Sequence, residues 1–196
     1  MPTFISDPPQ IVYIVLGVCL VVSGAIAAQK QDRRAILPFV AVFFAMLAVF
    51  LIDKFIESPR EESVRRAQMM AAAADANHPD AFVAQVADTF EYRGDGEPKK
   101  LTREQMKSHH IWSQLRQFDV HVAVWEFSRD DVKVIDDNTV EIGFMAKGEG
   151  RGSGKQVPLY IRATFTRQSN GEFKLTAFGT YDPLDHNKPL KIDQFP

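Results

Sequence analysis

The sequence predicts an α+β fold: two N-terminal transmembrane helices followed by a cone-shaped domain of about three helices on a curved antiparallel sheet. Two observations predict it. Residues 11–52 are almost wholly apolar, whereas the chain from Asp53 onward mixes charged and apolar side chains. In that second part apolar residues first recur with the period of a helix and, beyond Phe118, with the twofold period of a strand. Helices gathered first and strands gathered last are typical of an α+β domain.

Two segments have the composition of membrane-spanning helices, residues 11–28 and 36–52. Neither contains a charged residue, and apolar side chains cover every face of both. At a rise of about 1.5 Å per residue, each is near the lower length limit for crossing a bilayer. A buried core hairpin is the alternative, as is a cleaved signal peptide for the first segment, although no basic residue precedes it. We predict a transmembrane hairpin over residues 1–56.

The basic residues around this hairpin predict its orientation. Lys30, Arg33 and Arg34 lie in the loop between the two segments, and the N-terminal tail has no basic side chain. By the positive-inside rule the loop faces the cytoplasm and both termini lie outside, although basic residues between Lys54 and Arg66 favour the opposite orientation. We therefore expect an integral protein of a bacterial inner or cell membrane, with the lipid bilayer as partner and a periplasmic or extracytoplasmic soluble domain.

Three helices are predicted at the start of the soluble domain, residues 57–184. In the first, Ser58 is a candidate N-cap and Pro59 suits the first helical position. Its apolar stripe consists of Val64, Ala67, Met70 or Ala71, and Ala74. A shorter helix follows over about residues 79–87. The third is predicted over residues 102–117, where Thr102 and Gln105 can form a capping box.

The third helix contains two adjacent histidines, His109 and His110. Helical periodicity places both away from the apolar stripe and assigns Trp112 to the core. Neither histidine has a metal-ligating residue three or four positions away, so no local metal clamp is predicted.

The strands are predicted at "TFEYR" and at residues 119–127, 132–135, 139–147, 157–167 and 172–182. The five consecutive strands have short connections, which indicates an antiparallel meander. Alternation assigns Val140, Ile142, Phe144 and Ala146 to the face that packs on the helices, with the corresponding residues of the next strands. It assigns Tyr160, Arg162, Phe178 and Thr180 to the opposite face. The irregular tail, residues 185–196, is expected to lie along the domain or to dangle.

The element order, with "FEYRGDG" near its start and "GEFKLTAFGTYDPL" near its end, resembles the nuclear transport factor 2-like superfamily. This superfamily also contains ketosteroid isomerase and scytalone dehydratase, and the resemblance covers residues 61–184. It implies a cone between helices and sheet that can hold a small ligand. Enzymes of the superfamily place polar catalytic groups inside that cone, but the first helix here has no matching tyrosine, so no catalytic residue is carried over.

The candidate residues of a ligand pocket are Tyr92, Trp112, His121 and Trp125. His121 shares one face of its strand with Trp125, while Val122 and Val124 form the other face, which is the safer core. A strand histidine beside aromatic residues is more often a packing residue than a catalytic one, and Tyr92 is more often a core edge than a pocket hydroxyl.

Composition excludes several classes of function. The formal net charge of −2 gives no broad basic surface, which argues against binding to nucleic acid. The chain has one cysteine, Cys19, so it forms no internal disulfide and no cysteine zinc cluster. The loop "GEGRGSGK" lacks the spacing of a phosphate-binding loop. We predict no metal and no cofactor.

Two functions remain after these exclusions. The first is a membrane-anchored, non-catalytic binding or scaffolding protein whose exported domain contacts protein partners or forms a homo-oligomer. The alternative is a membrane-tethered small-molecule enzyme, or a binder of lipophilic ligands, of the isomerase or dehydratase type. A filled cone would exclude the alternative, and an open pocket with a carboxylate or histidine would weaken the first.

Overall fold

The structure, a computed structural model, describes residues 10–30, 33–55, 58–95, 97–150 and 156–190. The chain divides into two compact units, residues 1–58 and residues 59–196. The first unit consists of helix α1 (Gln10–Lys30) and helix α2 (Arg33–Phe55), which contact each other. Where they meet, Gly24 faces the ring of Phe39, and a Cβ at Gly24 would be in ordinary van der Waals contact with that ring at 3.4 Å.

One helix in the described part of the chain is long and apolar enough to cross a membrane, by length and composition. It is Ile11–Gln29 of α1, and 6% of its apolar window is buried. The apolar part of α2 covers only Ile36–Leu51, about 24 Å at 1.5 Å per residue, which is shorter than the hydrocarbon core of a bilayer. The expectation of two membrane-spanning helices is therefore wrong: one candidate remains, and signal sequences also meet the same criterion.

In the described part of the chain, the second unit has four α-helices, of which two precede the first strand and two follow the second strand. They are α3 (Pro59–Asp75), α4 (Pro79–Val83), α5 (Arg103–Lys107) and α6 (Ile111–Gln117). Helix α3 starts at Pro59, as the sequence predicts, and buries Ala67, Met70 and Ala74 of the predicted stripe. Its acidic first turn, with Glu61 and Glu62, suits the positive end of the helix dipole.

The helix predicted over residues 102–117 is two helices. The capping box forms, since the hydroxyl of Thr102 accepts from the amide of Gln105 at 3.2 Å. The first helix ends at Lys107 and the second begins at Ile111. Between them the carbonyl of Met106 accepts from the amide of His109 at 3.3 Å and from the indole of Trp112 at 2.8 Å. His109 and His110 lie at the resulting break between α5 and α6.

In the residues that the structure describes, the sheet of the second unit has seven strands. They are β1 (Val86–Arg93), β2 (Lys99–Thr102), β3 (Val120–Trp125), β4 (Val132–Asp136), β5 (Thr139–Gly150), β6 (Gln156–Arg167) and β7 (Phe173–Tyr181). The order is β2-β1-β7-β6-β5-β3, and β4 also pairs with β5. Strands β3 and β4 lie end to end along β5, since β4 pairs with Thr139–Ile142 and β3 with Met145–Gly150.

The sheet is mixed, which corrects the expectation of a wholly antiparallel one. Strands β4, β5, β6 and β7 pair antiparallel in succession, as predicted for the meander, but β3 pairs with β5 instead of β4. Strand β1 pairs with β7 in parallel. A short first strand followed by helices does not indicate in the sequence which later strand it will join. Here it joins the last strand, which the local pattern could not predict.

A β-bulge in β7 reverses the faces of its second half. Phe165 pairs with Leu175 but Thr164 pairs with Ala177, so one extra residue, Thr176, lies between the two pairs. Beyond the bulge Phe178 pairs with Ala163 and lies on the helix side of the sheet. The assignment of Phe178 and Thr180 to the opposite face is therefore wrong.

The tail follows β7 and folds back along the domain as far as it is described. Pro189 pairs with Tyr181, and the amide of Leu190 donates to the carbonyl of Thr180 at 2.8 Å. Strand β1 ends its pairing with β7 at Gly179, so the tail takes the place beside β7 that β1 leaves. Residues 191–196 lie outside the described part of the chain.

Candidate ligand-binding cavity

The cone between the helices and the sheet contains a cavity of about 140 Å³ that is partly open to solvent. Helices α3 and α4 form one wall, and strands β3, β5, β6 and β7 form the other. The lining residues are Ala67, Met70, Ala71, Ala74, Phe82, Val122, Val124, Phe144, Ala146, Ile161, Ala163, Phe165, Leu175 and Phe178.

The space exists because small side chains occupy both walls. Ala67, Ala71 and Ala74 recur on one face of α3, while Ala146 and Ala163 lie on the sheet. An alanine ends at Cβ, so facing alanines leave a gap that the surrounding larger residues do not close. Voids larger than a water molecule are few in protein interiors, which are otherwise closely packed.

Every side chain in the lining ends in carbon or sulfur, so the walls offer no acid, base, nucleophile or side-chain hydrogen-bond donor. A water molecule needs about two to four polar partners to be stable in a cavity, and apolar cavities of about 150 Å³ stay dry and bind benzene. The arrangement can therefore hold a small uncharged apolar molecule.

Two of the predicted pocket residues lie one layer behind the lining. Tyr92 is 4% exposed, and its ring centre lies 5.1 Å from that of Phe178. Trp112 is 5% exposed, and its ring lies edge-on to Phe82 with centres 5.3 Å apart. Both support residues of the cavity wall without lining the cavity.

The other two, His121 and Trp125, lie on the side of β3 that faces away from the cavity. Side chains alternate along a strand, and Val122 and Val124 take the cavity side, as expected for the safer core face. His121 is exposed, and its Nδ1 lies 3.2 Å from the carboxylate of Asp75, which also accepts from the amide of Val122 at 2.9 Å. The structure therefore does not bring the four predicted residues together around one pocket.

Sequence reasoning did not name most of the lining as a site. The alanines of α3 and the apolar residues of β5 and β6 appeared as core positions, and alanine content alone does not predict a void. Phe178 was assigned to the wrong face because nothing in "KLTAFGTY" marks the bulge.

A buried polar cluster ties the helix side of the cone together. Arg66 donates to Glu62 Oε1 through Nε at 3.0 Å and Nη2 at 2.8 Å, and to Gln85 Oε1 at 2.8 Å. The same Glu62 oxygen accepts from the amide of Phe173 at 3.4 Å. This cluster links α3 to the sheet next to Ala67, and its polar groups form hydrogen bonds with one another.

A second polar cluster lies on the opposite face of the sheet. Tyr160, 3% exposed, donates to Asp131 at 2.9 Å and stacks on His186 with ring centres 3.6 Å apart. Burial raises the pKa of Tyr160 to about 12, with the hydrogen bond to Asp131 as the next cause. Arg162 donates to the carbonyl of His186 at 3.2 Å, so the cluster holds the tail on the sheet.

The two adjacent histidines differ in environment. His109 is half-buried, and its Nδ1 accepts from the amide of Ile111 at 3.2 Å, whereas His110 is exposed. Burial lowers the pKa of His109, and the neighbouring charge of His110 lowers it further. The prediction that both face outward is correct only for His110. Among the described residues, no three of His, Cys, Asp and Glu are grouped so as to hold a metal ion.

Solved structures with the same fold support the resemblance stated from the sequence. A nuclear transport factor 2-like protein with a cystatin-like fold from Novosphingobium aromaticivorans matches with a TM-score of 0.52 and 16% identity, covering 74% of this chain and 88% of that one. A protein of unknown function with a cystatin-like fold from Nostoc punctiforme matches with a TM-score of 0.50 and 13% identity, covering 62% and 90%. No family model and no curated protein matches the chain. At these identities the likeness shows the fold alone.

Proposed function

We propose that this chain is a membrane-anchored, non-catalytic protein that binds a small uncharged apolar molecule in the cavity between α3 and the sheet. The observation that carries the proposal is the wholly apolar lining of a cavity of about 140 Å³. Burial of apolar ligand surface contributes about 25 cal/mol per Å² before the cost of association. A ligand of six to eight carbon atoms suits this volume.

The lining favours binding over catalysis. A general acid or base must come within about 2.6–3.2 Å of the proton that it transfers, directly or through one water. No lining side chain has a group that exchanges protons. The lipophilic-binder part of the alternative function therefore has a site, and the isomerase or dehydratase part has no candidate residue in that site.

The membrane anchor rests on helix α1. Its apolar residues are exposed along Ile11–Gln29, as a bilayer-embedded helix requires. A tether of this kind would keep the binding domain near a bilayer, where apolar molecules concentrate. The extracytoplasmic orientation, the bacterial inner or cell membrane and a protein partner or second copy remain predictions from the sequence.

Alkaline carbonate washing of membranes tests the anchor. We expect the chain to stay in the pellet and its intact mass to include residues 11–29. Release into the wash, or a mass lacking those residues, would contradict anchoring. A C-terminal tag that reacts with a membrane-impermeant reagent only after lysis would contradict the extracytoplasmic orientation.

Ligand binding is tested with benzene on the full chain in lipid nanodiscs. We expect saturable methyl-NMR shifts at Ile161, Val122 and Leu175, which a ligand merely dissolved in lipid would not cause. The matched control is Ala163→Leu, whose larger side chain occupies the cavity. It should abolish the benzene-induced shifts, while the NMR spectrum remains that of a folded protein. Equal benzene shifts in both proteins would refute a site in this cavity.

A further inference from the structure

Phe178 enters the cavity because of the bulge at Thr176. Beyond that bulge its Cα is paired with Ala163 of β6 on one side and with Tyr92 of β1 on the other. Backbone paired on both sides cannot move away from the cavity without breaking ladder hydrogen bonds. The position of the Phe178 ring is therefore set by the centre of the sheet.

The ring is also held by its neighbours. It stacks near-parallel on Phe90, with centres 6.0 Å apart and planes at 25°, and lies 5.1 Å from the ring of Tyr92. The hydroxyl of Tyr92 is 3.1 Å from that of Thr180, which in turn donates to the carbonyl of Leu190 at 2.6 Å. Thr180 is fully buried. A buried, satisfied polar chain of this kind keeps the tyrosine ring, and with it Phe178, in one place.

The other large lining residues are less suited to limit the ligand. Phe144 and Phe165 are core residues, 6% and 0% exposed. Phe82 lies on the five-residue helix α4, which carries no sheet pairing and can shift more easily. Phe178 combines partial exposure, a place in the lining and a fixed backbone.

We infer that Phe178 is the specificity-determining residue of the proposed site and limits the ligand to one ring or a short chain of similar volume. This inference rests on the proposed function, since it assigns a size limit to the same cavity. Removing the ring should join its volume to the cavity and admit a second fused ring.

The experiment compares benzene with naphthalene on the full chain in nanodiscs, using the methyl signals of Ile161 and Val122. The wild type should bind benzene, and it should bind naphthalene roughly eightfold more weakly than Phe178→Ala does, since the second ring buries on the order of 50 Å² of additional apolar surface. Phe118→Ala is the matched control, because Phe118 is 58% exposed and lies outside the lining. It should keep the wild-type preference.

The possible results separate the two proposals. One result would overturn the size limit and leave the proposed function standing: the wild type binds benzene, and Phe178→Ala has the same ratio of benzene affinity to naphthalene affinity as the wild type. Absence of benzene binding to the folded wild type would overturn the proposed function and the size limit with it. If Phe178→Ala does not fold, Phe178→Leu provides the same comparison, with an intermediate gain for naphthalene expected and an unchanged ratio again contradicting the inference.

Discussion

Replacing Arg66 with methionine tests the buried cluster that joins α3 to the sheet. The side chain of Arg66 is 9% exposed and that of its ion-pair partner Glu62 is 16% exposed. Methionine keeps the apolar stem and removes the guanidinium group, so the change isolates the polar contacts. Glu62 then loses its charged partner, and the side-chain oxygen of Gln85 loses the guanidinium donor.

The expected loss of unfolding free energy is about 3 kcal/mol. Breaking a fully buried ion pair by removing one partner costs about 3–5 kcal/mol. The partial exposure of Glu62 lets water reach its carboxylate, so the lower end of that range applies. The double variant Glu62→Gln/Arg66→Met should lose less than the sum of its single variants, because it leaves no unpaired charge.

Urea unfolding of the full chain in nanodiscs measures this, with tryptophan fluorescence as the signal. Both tryptophans, Trp112 and Trp125, belong to the second unit, so the signal reports on the domain that contains the cluster. Arg65→Met is the matched control: it lies on the same helix but is exposed, and should change stability by about 0.5 kcal/mol or less. A loss below about 1 kcal/mol for Arg66→Met, with strict additivity in the double variant, would refute the reasoning.

Three further predictions concern other clusters. The pKa of Tyr160 is raised from 10.0 to about 12, so the folded protein keeps a proton that the unfolded chain loses, and the free energy of unfolding should fall between about pH 10 and 12. Tyr160→Phe should reduce that fall and remove a phenolate that appears near pH 12 in an ultraviolet titration. Gly143→Ala should lower the free energy of unfolding by about 1–3 kcal/mol, since a Cβ there would overlap the Tyr160 hydroxyl. The same change should cost less in a Tyr160→Phe background, and an equal loss in both backgrounds by thermal unfolding would contradict this contact. The pKa of His109 is lowered in the folded protein, so its contribution to stability is present above pH 6.5 and is lost as the pH falls through the lower pKa of the folded state. His110→Gln should raise the pKa of His109 only partly, because burial is the larger cause of the lowering. An NMR titration showing no rise would contradict the contribution of His110.

The sequence predicted those parts of the fold that local patterns determine. Helix α3 begins at Pro59, and strands β5 and β6 bury the residues that alternation selects, including Val140, Ile142 and Phe165. Prolines, caps and twofold alternation act over a few residues, so one chain segment contains the whole signal.

The remaining features depend on contacts between distant segments. The parallel pairing of β1 with β7 joins residues far apart in the chain. At the break between α5 and α6, the indole of Trp112 donates to the carbonyl of Met106 in the preceding helix. The bulge at Thr176 has a partner in β6, because the hydroxyl of Thr176 donates to the carbonyl of Thr164 at 3.2 Å. Because this partner belongs to another strand, alternation along β7 alone gave the wrong face for Phe178.

The candidate site was harder to predict than the fold. Tyr92 and His121 were predicted to line the pocket because binding and catalytic sites often contain aromatic and polar side chains. The cavity instead results from what alanines leave empty. A void depends on the distance between two walls, which neither wall encodes by itself.

The tail beside β7 has a consequence for the solubility of the domain. Strand β1 ends its pairing at Gly179, so Thr180 and Tyr181 would present unpaired backbone groups at a sheet margin if the tail were absent. Pro189 and Leu190 cover that margin, and the proline offers no further donor to a passing strand. The last described residues thus shield the domain from strand-to-strand association with other chains. Shortening the chain before Pro189 would remove that shield, and the effect would appear as concentration-dependent aggregation.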